Sequence, residues 1–261
     1  MEKIINKLTH EDIFEILEEK HDLYNRVTFI ESDPVSIPHL FTKKEDIEIA
    51  GFLAATIAWG QRKTILKNAQ KLVEWMDYAP HSFVMDFTEK DLKRFSQFVH
   101  RTFNGIDTLY FLSSLKNIYS KHDSIGSVFE KEINSGSDLK QAIVKFREMF
   151  FELPHEKRTE KHVSNPGMGA SAKRLCMYLR WLTRKDNRGV DFGIWNISSS
   201  VLMCPLDVHS GRIARRLGLL TRKQDDWQAV QELTENLRKF DPNDPVKYDF
   251  ALFGLGVNEK Y

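Results

Sequence analysis

The richest run of candidate functional residues is Asn165-Pro166-Gly167-Met168-Gly169-Ala170-Ser171-Ala172-Lys173-Arg174-Leu175. A Pro-Gly-x-Gly turn running straight into a helical pattern is expected to leave glycine amides and unpaired helix N-terminal N–H groups open, a geometry that cradles phosphate. The same spacing also occurs in plain turns, so both roles stay open for Gly167 and Gly169. Lys173 falls near the start of the helix that follows, as a solvated side chain or a phosphate contact. A second run, Pro205-Leu206-Asp207-Val208-His209-Ser210-Gly211-Arg212, puts an aspartate where a helix N-cap is expected, and capping by itself accounts for Asp207. His209 then sits in the first turn, with Arg212, Arg215 and Arg216 at exposed positions of the helix. A third run, Ala58-Trp59-Gly60-Gln61-Arg62-Lys63, reads as a break between two helical patterns. His100 and Arg101, beside Thr102-Phe103-Asn104, are read either as phosphate or cleft contacts or, for the histidine, as a hydrogen-bonded structural group.

The elements that must hold these residues are helical. Apolar side chains recur with a period near 3.6 at Ile47, Ala50, Ala54 and Ile57, then at Ile65, Ala69, Leu72 and Met76. The same period marks Leu109 to Tyr119, Leu139 to Phe150 and Trp227 to Phe240, and strand-like alternation is scarce. Asp226 and Asp244-Pro245 are expected to start helices, and Gly218 to close one. About ten helices in an all-α protein are expected. The charged, histidine-rich run from Glu152 to Ser164 is expected to be the mobile loop.

With 261 residues, 41% of them hydrophobic, the chain can bury one large core or two modest ones. Two cysteines, Cys176 and Cys204, cannot build a disulfide framework and are not spaced for zinc or an iron–sulfur cluster, so no metal and no cofactor are expected. The first residues, Met1 to Asn6, lack an uninterrupted apolar run, and no stretch approaches the ~20 apolar residues of a membrane span. A cytoplasmic protein without a membrane partner is expected. The formal net charge is only +1, yet residues 173–239 hold 13 Lys+Arg against 7 Asp+Glu, a local +6 that can attract phosphate or serve as a solvated helix face.

Together the two central runs resemble the helix-hairpin-helix DNA glycosylase superfamily, whose hairpin Pro-Gly-x-Gly, nearby lysine and downstream Asp-x-His-x-x-Arg they approximate. By that resemblance Lys173 matches the nucleophile of bifunctional members and Asp207 the aspartate across the cleft, with Gly167 and Gly169 as hairpin glycines. The lysine follows the hairpin at a longer interval than is usual. The 34 positions from Lys173 to Asp207 also exceed the endonuclease III spacing. Without an iron–sulfur cluster, this layout is more similar to the archaeal 8-oxoguanine glycosylase branch. The whole chain further resembles a bacterial family of this length, in Trp59-Gly60-Gln61-Arg62, His100-Arg101-Thr102-Phe103-Asn104, Leu179-Arg180-Trp181 and Tyr248-Asp249-Phe250-Ala251-Leu252-Phe253, a resemblance that brings no activity with it.

The superfamily resemblance implies two helical domains flanking a DNA cleft: a central one over residues 45–189, and a second formed by 1–44 with 190–261. Gln61 would plug the gap left by an extruded nucleotide, since an amide offers both donor and acceptor to the orphaned base. Arg62, Arg174, His209 and Arg212 would contact DNA, and Trp195, Phe250 and Phe253 are the aromatics that would stack on a base. Cleaving an N-glycosidic bond builds positive charge on the sugar, which a carboxylate stabilises. An amine attacks the anomeric carbon only when neutral, a form favoured by desolvation or by cations such as Arg174, and the resulting Schiff base permits β-elimination. A monomeric base-excision enzyme acting on damaged duplex DNA is the expectation. Its rivals are a non-catalytic DNA-binding module and a helical enzyme for a free nucleoside, with metal catalysis through Asp207 and His209 the least supported.

Overall fold

The computed structural model describes residues 8–257 and 259. The run Met1 to Asn6, read above as free of an apolar leader, lies outside the described residues. So do the outer ends of the expected second domain. Among the described residues there are twelve α helices, linked by 3-10 turns, and one hairpin of two short strands. The chain opens with α1 (His10–Tyr24), α2 (Lys44–Thr56), α3 (Arg62–Glu74), α4 (Pro80–Asp86) and α5 (Glu89–Leu92), followed by β1 (Val99–His100) paired antiparallel with β2 (Phe103–Asn104). It continues through α6 (Gly105–Lys121), α7 (Ile125–Asn134), α8 (Leu139–Phe150), α9 (Lys173–Thr183), α10 (Val208–Arg216), α11 (Trp227–Arg238) and α12 (Asp249–Val257). The all-α expectation holds.

Local chemistry sets many helix starts. Thr9 and Asp12 form a reciprocal capping box on α1, as Asp138 and Gln141 do on α8, and the Asp226 carboxylate accepts the Ala229 amide on α11. Gly218 follows α10 with φ of +73°, the left-handed residue that closes a helix. Asp244 departs from expectation: it precedes a 3-10 turn, Pro245–Tyr248, without capping it. Its carboxylate instead accepts from Arg184 Nε at 2.8 Å, because a buried guanidinium demands counter-charge more strongly than a solvated turn demands a cap.

Helix α2 is buried on every face from Ile47 to Thr56 and packs against α3, α4 and α9. At the other end of the molecule α1 lies along α12, which also packs on α10. The buried apolar side chains form a continuous cluster from Leu17 to Leu255.

Within α2, Glu48 is fully buried and accepts from Tyr119 Oη and Trp195 Nε1, each at 2.7 Å, and from the Ile125 and Gly126 amides. Burial pushes its carboxyl up while these donors pull it down. Gly126 has to be glycine, since a Cβ there would stand 2.5 Å from the Trp195 indole nitrogen. Trp195 therefore has a different role from the base-stacking one expected of it. It is 4% exposed, stacked on Phe129 at 5.5 Å and held by Glu48, and it belongs to the core.

The run from Glu152 to Ser164 is likewise anchored rather than loose. It contains a 3-10 helix, Lys157–His162, whose Thr159 and His162 are buried. Arg158 Nη1 and Thr159 Oγ1 donate to the buried Asp107 carboxylate at 2.8–2.9 Å, with His162 Nε2 3.3 Å from it. Composition suggested a loose loop, but Arg158 and His162 face a buried partner while Glu152, Glu156, Lys157 and Lys161 stay exposed.

Two stability outcomes follow. Glu48→Ala leaves an indole, a phenol and two amides without an acceptor, and should lower unfolding free energy by at least about 3 kcal/mol in denaturant titration. Burial, reinforced at His21 by Arg184, pushes both His21 and His162 down to about 4, from an unfolded value of 6.5. The folded state thus resists protonation, so this stability is fully present above pH 6.5 and is lost as pH falls toward 4. Tm measured across that window should drop, and the drop should be shallower in His21→Gln.

Candidate active site

Lys173 is the first residue of α9, and Asp207 is the N-cap of α10. Ala172, immediately before α9, is 2% exposed and held at φ of +49°, a left-handed conformation that costs a non-glycine residue on the order of 1 kcal/mol. That bend aims the first turn of α9 at α10. Lys173 Nζ stands 3.7 Å from Asp207 Oδ2, with both side chains one-quarter exposed, and 3.5 Å from Met177 Sδ one turn along. A separation of 34 positions closes into one ion pair.

Asp207 carries both roles that its position suggested. Its Oδ1 accepts the His209 and Ser210 amides at 2.8 and 3.0 Å, and Ser210 Oγ receives the Asp207 amide in return. Burial tends to raise its carboxyl, but the Lys173 ammonium and the two capping amides prevail and hold it below the usual carboxylate range. It remains an anion at neutral pH.

The pair lines a cavity of about 630 Å³, within the range of sites that enclose small molecules. Its wall also includes Asp33, Trp59, Arg62, Arg174, Arg180, Trp181, His209, Asp249, Phe250 and Phe253. Asp33 and Asp249 are buried carboxyls that sequence reasoning missed. Burial raises Asp33, whose Oδ1 takes the Val35 amide, and pushes Asp249 up to about 6 against the pull of Arg180 and Lys173. Asp249 stood inside a run noted for its family resemblance, whereas Asp33 before Pro34 reads as an ordinary turn residue. The indole nitrogens of Trp59 and Trp181 are buried without a hydrogen-bond partner. Among the described residues no group of three or more His, Cys, Asp or Glu side chains converges to hold a metal.

The other expected contacts are distributed unevenly. Phe253 is half-buried in the wall with the Arg62 guanidinium 5.3 Å above its ring, while Phe250 is 1% exposed and covered by Arg180 at 4.2 Å. Gln61 is exposed and precedes α3 without capping it; Arg62 points to the cavity, 4.0 Å from Asp33. Arg174 donates to the carbonyls of Thr56 and Lys161, and Arg212 to that of Gly256 at 2.9 Å, so both guanidinia already have internal acceptors. His100 is a buried structural group: its Nε2 donates to the Trp59 carbonyl and its Nδ1 accepts from Asn68.

One expectation about the hairpin fails. Gly167 and Gly169 sit at an exposed turn, yet their amides are occupied: Gly167 donates to Asn165 Oδ1 at 2.9 Å and Gly169 to the Pro166 carbonyl at 3.1 Å. The Met168 and Ala170 amides donate to the Asn165 carbonyl. A tight turn consumes its own N–H groups. The first internal bond of α9 runs from Cys176 N to Ala172 O, so the Lys173, Arg174 and Leu175 amides are the ones left open.

The double role of Asp207 can be separated by substitution. Asparagine caps a helix about as well as aspartate, so Asp207→Asn should change stability by less than about 0.5 kcal/mol. Asp207→Ala should cost about 1 kcal/mol in thermal or denaturant unfolding. Equal losses in the two variants would mean that the charge, not the cap, holds α10.

Searches of curated proteins and of solved structures returned no match. A family model does match, over residues 33–258, a span that includes every cavity-lining residue named above. The chain therefore belongs to the family described as "Protein of unknown function (DUF2400)".

Proposed function

We propose that this chain is a DNA base-excision glycosylase with associated lyase activity, acting on an oxidised purine such as 8-oxoguanine in damaged duplex DNA. The observation that carries the reading is the Lys173–Asp207 ion pair in the wall of an aromatic-lined cavity. An amine nucleophile and an anionic carboxylate at 3.7 Å suit N-glycosidic cleavage.

In this mechanism an extruded nucleotide enters the cavity with its sugar between the two side chains. Positive charge grows on the sugar as the base departs with the electron pair of the C–N bond and takes a proton from the Lys173 ammonium, and the Asp207 carboxylate stabilises that charge. Neutral Lys173 Nζ bonds to the anomeric carbon. Ring opening gives a protonated imine, and removal of a proton from C2′ expels the 3′ phosphate by β-elimination. The wall offers acceptors for base recognition: the Asp33 and Asp249 carboxyls can take ring or exocyclic N–H groups, which an oxopurine presents. The open amides at the start of α9 are available to phosphate.

One observation favours a second reading, an enzyme of the same chemistry acting on a free nucleoside. Part of the basic charge of residues 173–239 is spent inside the protein, where Arg180 and Arg184 pair with buried carboxylates. That reading requires nucleoside hydrolysis without duplex affinity.

Sodium borohydride reduces the imine and fixes the protein to its substrate. Duplexes carrying 8-oxoguanine, uracil, thymine glycol or an abasic site should be incubated with wild type and Lys173→Gln under borohydride. A covalent adduct is expected for wild type on the 8-oxoguanine and abasic duplexes, and at least a 100-fold loss in the variant. No adduct with any duplex, while binding persists, would put a monofunctional glycosylase or a DNA-binding module in place of this mechanism.

A further inference from the structure

Two runs, Trp59-Gly60-Gln61-Arg62, which supplies part of the cavity wall, and His100-Arg101-Thr102-Phe103-Asn104, come together as one unit. His100 Nε2 donates to the Trp59 carbonyl at 3.1 Å, and Asn68 of α3 donates to His100 Nδ1 at 2.9 Å. The Arg101 guanidinium lies 4.7 Å from the centre of the Trp59 ring. Gly60, at φ of +106°, leaves room for it: a Cβ there would stand 3.0 Å from Arg101 Nη1.

Arg101 itself occupies the tip of the β1–β2 hairpin at φ of +55°, a conformation that disfavours a side chain. The surrounding residues enforce it. Arg158 Nη2 donates to the Thr102 carbonyl at 2.8 Å, and Asn104 is tied to Asp107 through its amide. Backbone strain retained at an exposed tip points to a use for the side chain it presents.

That side chain is unusual here. Arg62, Arg147, Arg158, Arg180, Arg184 and Arg215 each have a carboxylate within 4.0 Å. Arg101 is exposed and, among the described residues, forms neither a hydrogen bond nor an ion pair. A guanidinium laid on an indole keeps its N–H edges free and its plane fixed, the state best prepared to grip a phosphate.

We propose that Arg101 is a DNA-backbone contact, held on Trp59 at the edge of the cavity to take a phosphate of the strand entering it. The inference rests on DNA being the partner, as in the preceding reading, but not on Lys173 acting as a nucleophile. By covering one ring of the cavity wall, the same contact couples backbone capture to the pocket.

The test is the salt dependence of binding to a duplex carrying a tetrahydrofuran abasic analogue, which the lyase chemistry cannot cleave. Wild type, Arg101→Ala and Arg101→Lys are compared from 50 to 300 mM potassium chloride, with Tm measured for each. Loss of one phosphate contact should lower the slope of log affinity against log salt by about 0.9 in Arg101→Ala, with Tm unchanged. Arg101→Lys keeps the charge and should restore the slope. An unchanged slope in Arg101→Ala, with wild type binding the duplex, overturns the proposal and leaves the glycosylase reading standing. A wild type with no salt-dependent duplex affinity overturns both.

Discussion

The architecture of the site depends on a chain of buried charges along one side of α9. Arg180 and Arg184, one helical turn apart, both reach Asp191; Arg180 also pairs with Asp249, and Arg184 with Asp244 and Asp186. Both arginines are at most 3% exposed. A guanidinium in that environment is tolerable only with carboxylates around it, and removal of one partner strands the other at a cost of several kcal/mol. The pairing therefore fixes the rotation of α9 against the loop at Asp191 and the start of α12. Lys173, at the first turn of the same helix, is placed as a consequence.

The same network explains why a basic segment need not be a basic surface. Its arginines balance aspartates that lie elsewhere in the chain, notably Asp22, Asp244 and Asp249. Charge counted along the sequence therefore overstates the field offered to a polyanion. Exposed cations do remain in the segment, Lys185, Lys223 and Lys239 among them, and outside it the Arg101 guanidinium lies on Trp59 without an ion pair among the described residues.

The site also shows how one residue satisfies two demands. Asp207 caps α10 with one oxygen and faces Lys173 with the other, so the helix that needs a cap supplies the amides that keep the carboxylate ionised. Ala172 makes the opposite trade, accepting a left-handed backbone so that α9 begins where the ion pair requires.

By itself the sequence determined the helical class, because period-3.6 apolar spacing and boundary residues such as Asp226 and Gly218 are local facts. It also singled out Lys173 and Asp207, through a resemblance carried by short-range patterns, and the fold brings the two side chains to 3.7 Å. Tertiary structure alone decided the rest. Whether Trp195 was a base platform or a core residue turned on Glu48, 147 positions away, and whether the glycine amides were open turned on the Asn165 side chain folding back onto Gly167. Asp33, Asp249 and Trp59 became cavity wall only when α2, α9 and α12 met. Burial and pairing are properties of neighbours distant in the chain, and no local pattern encodes which buried carboxylate a given arginine will find.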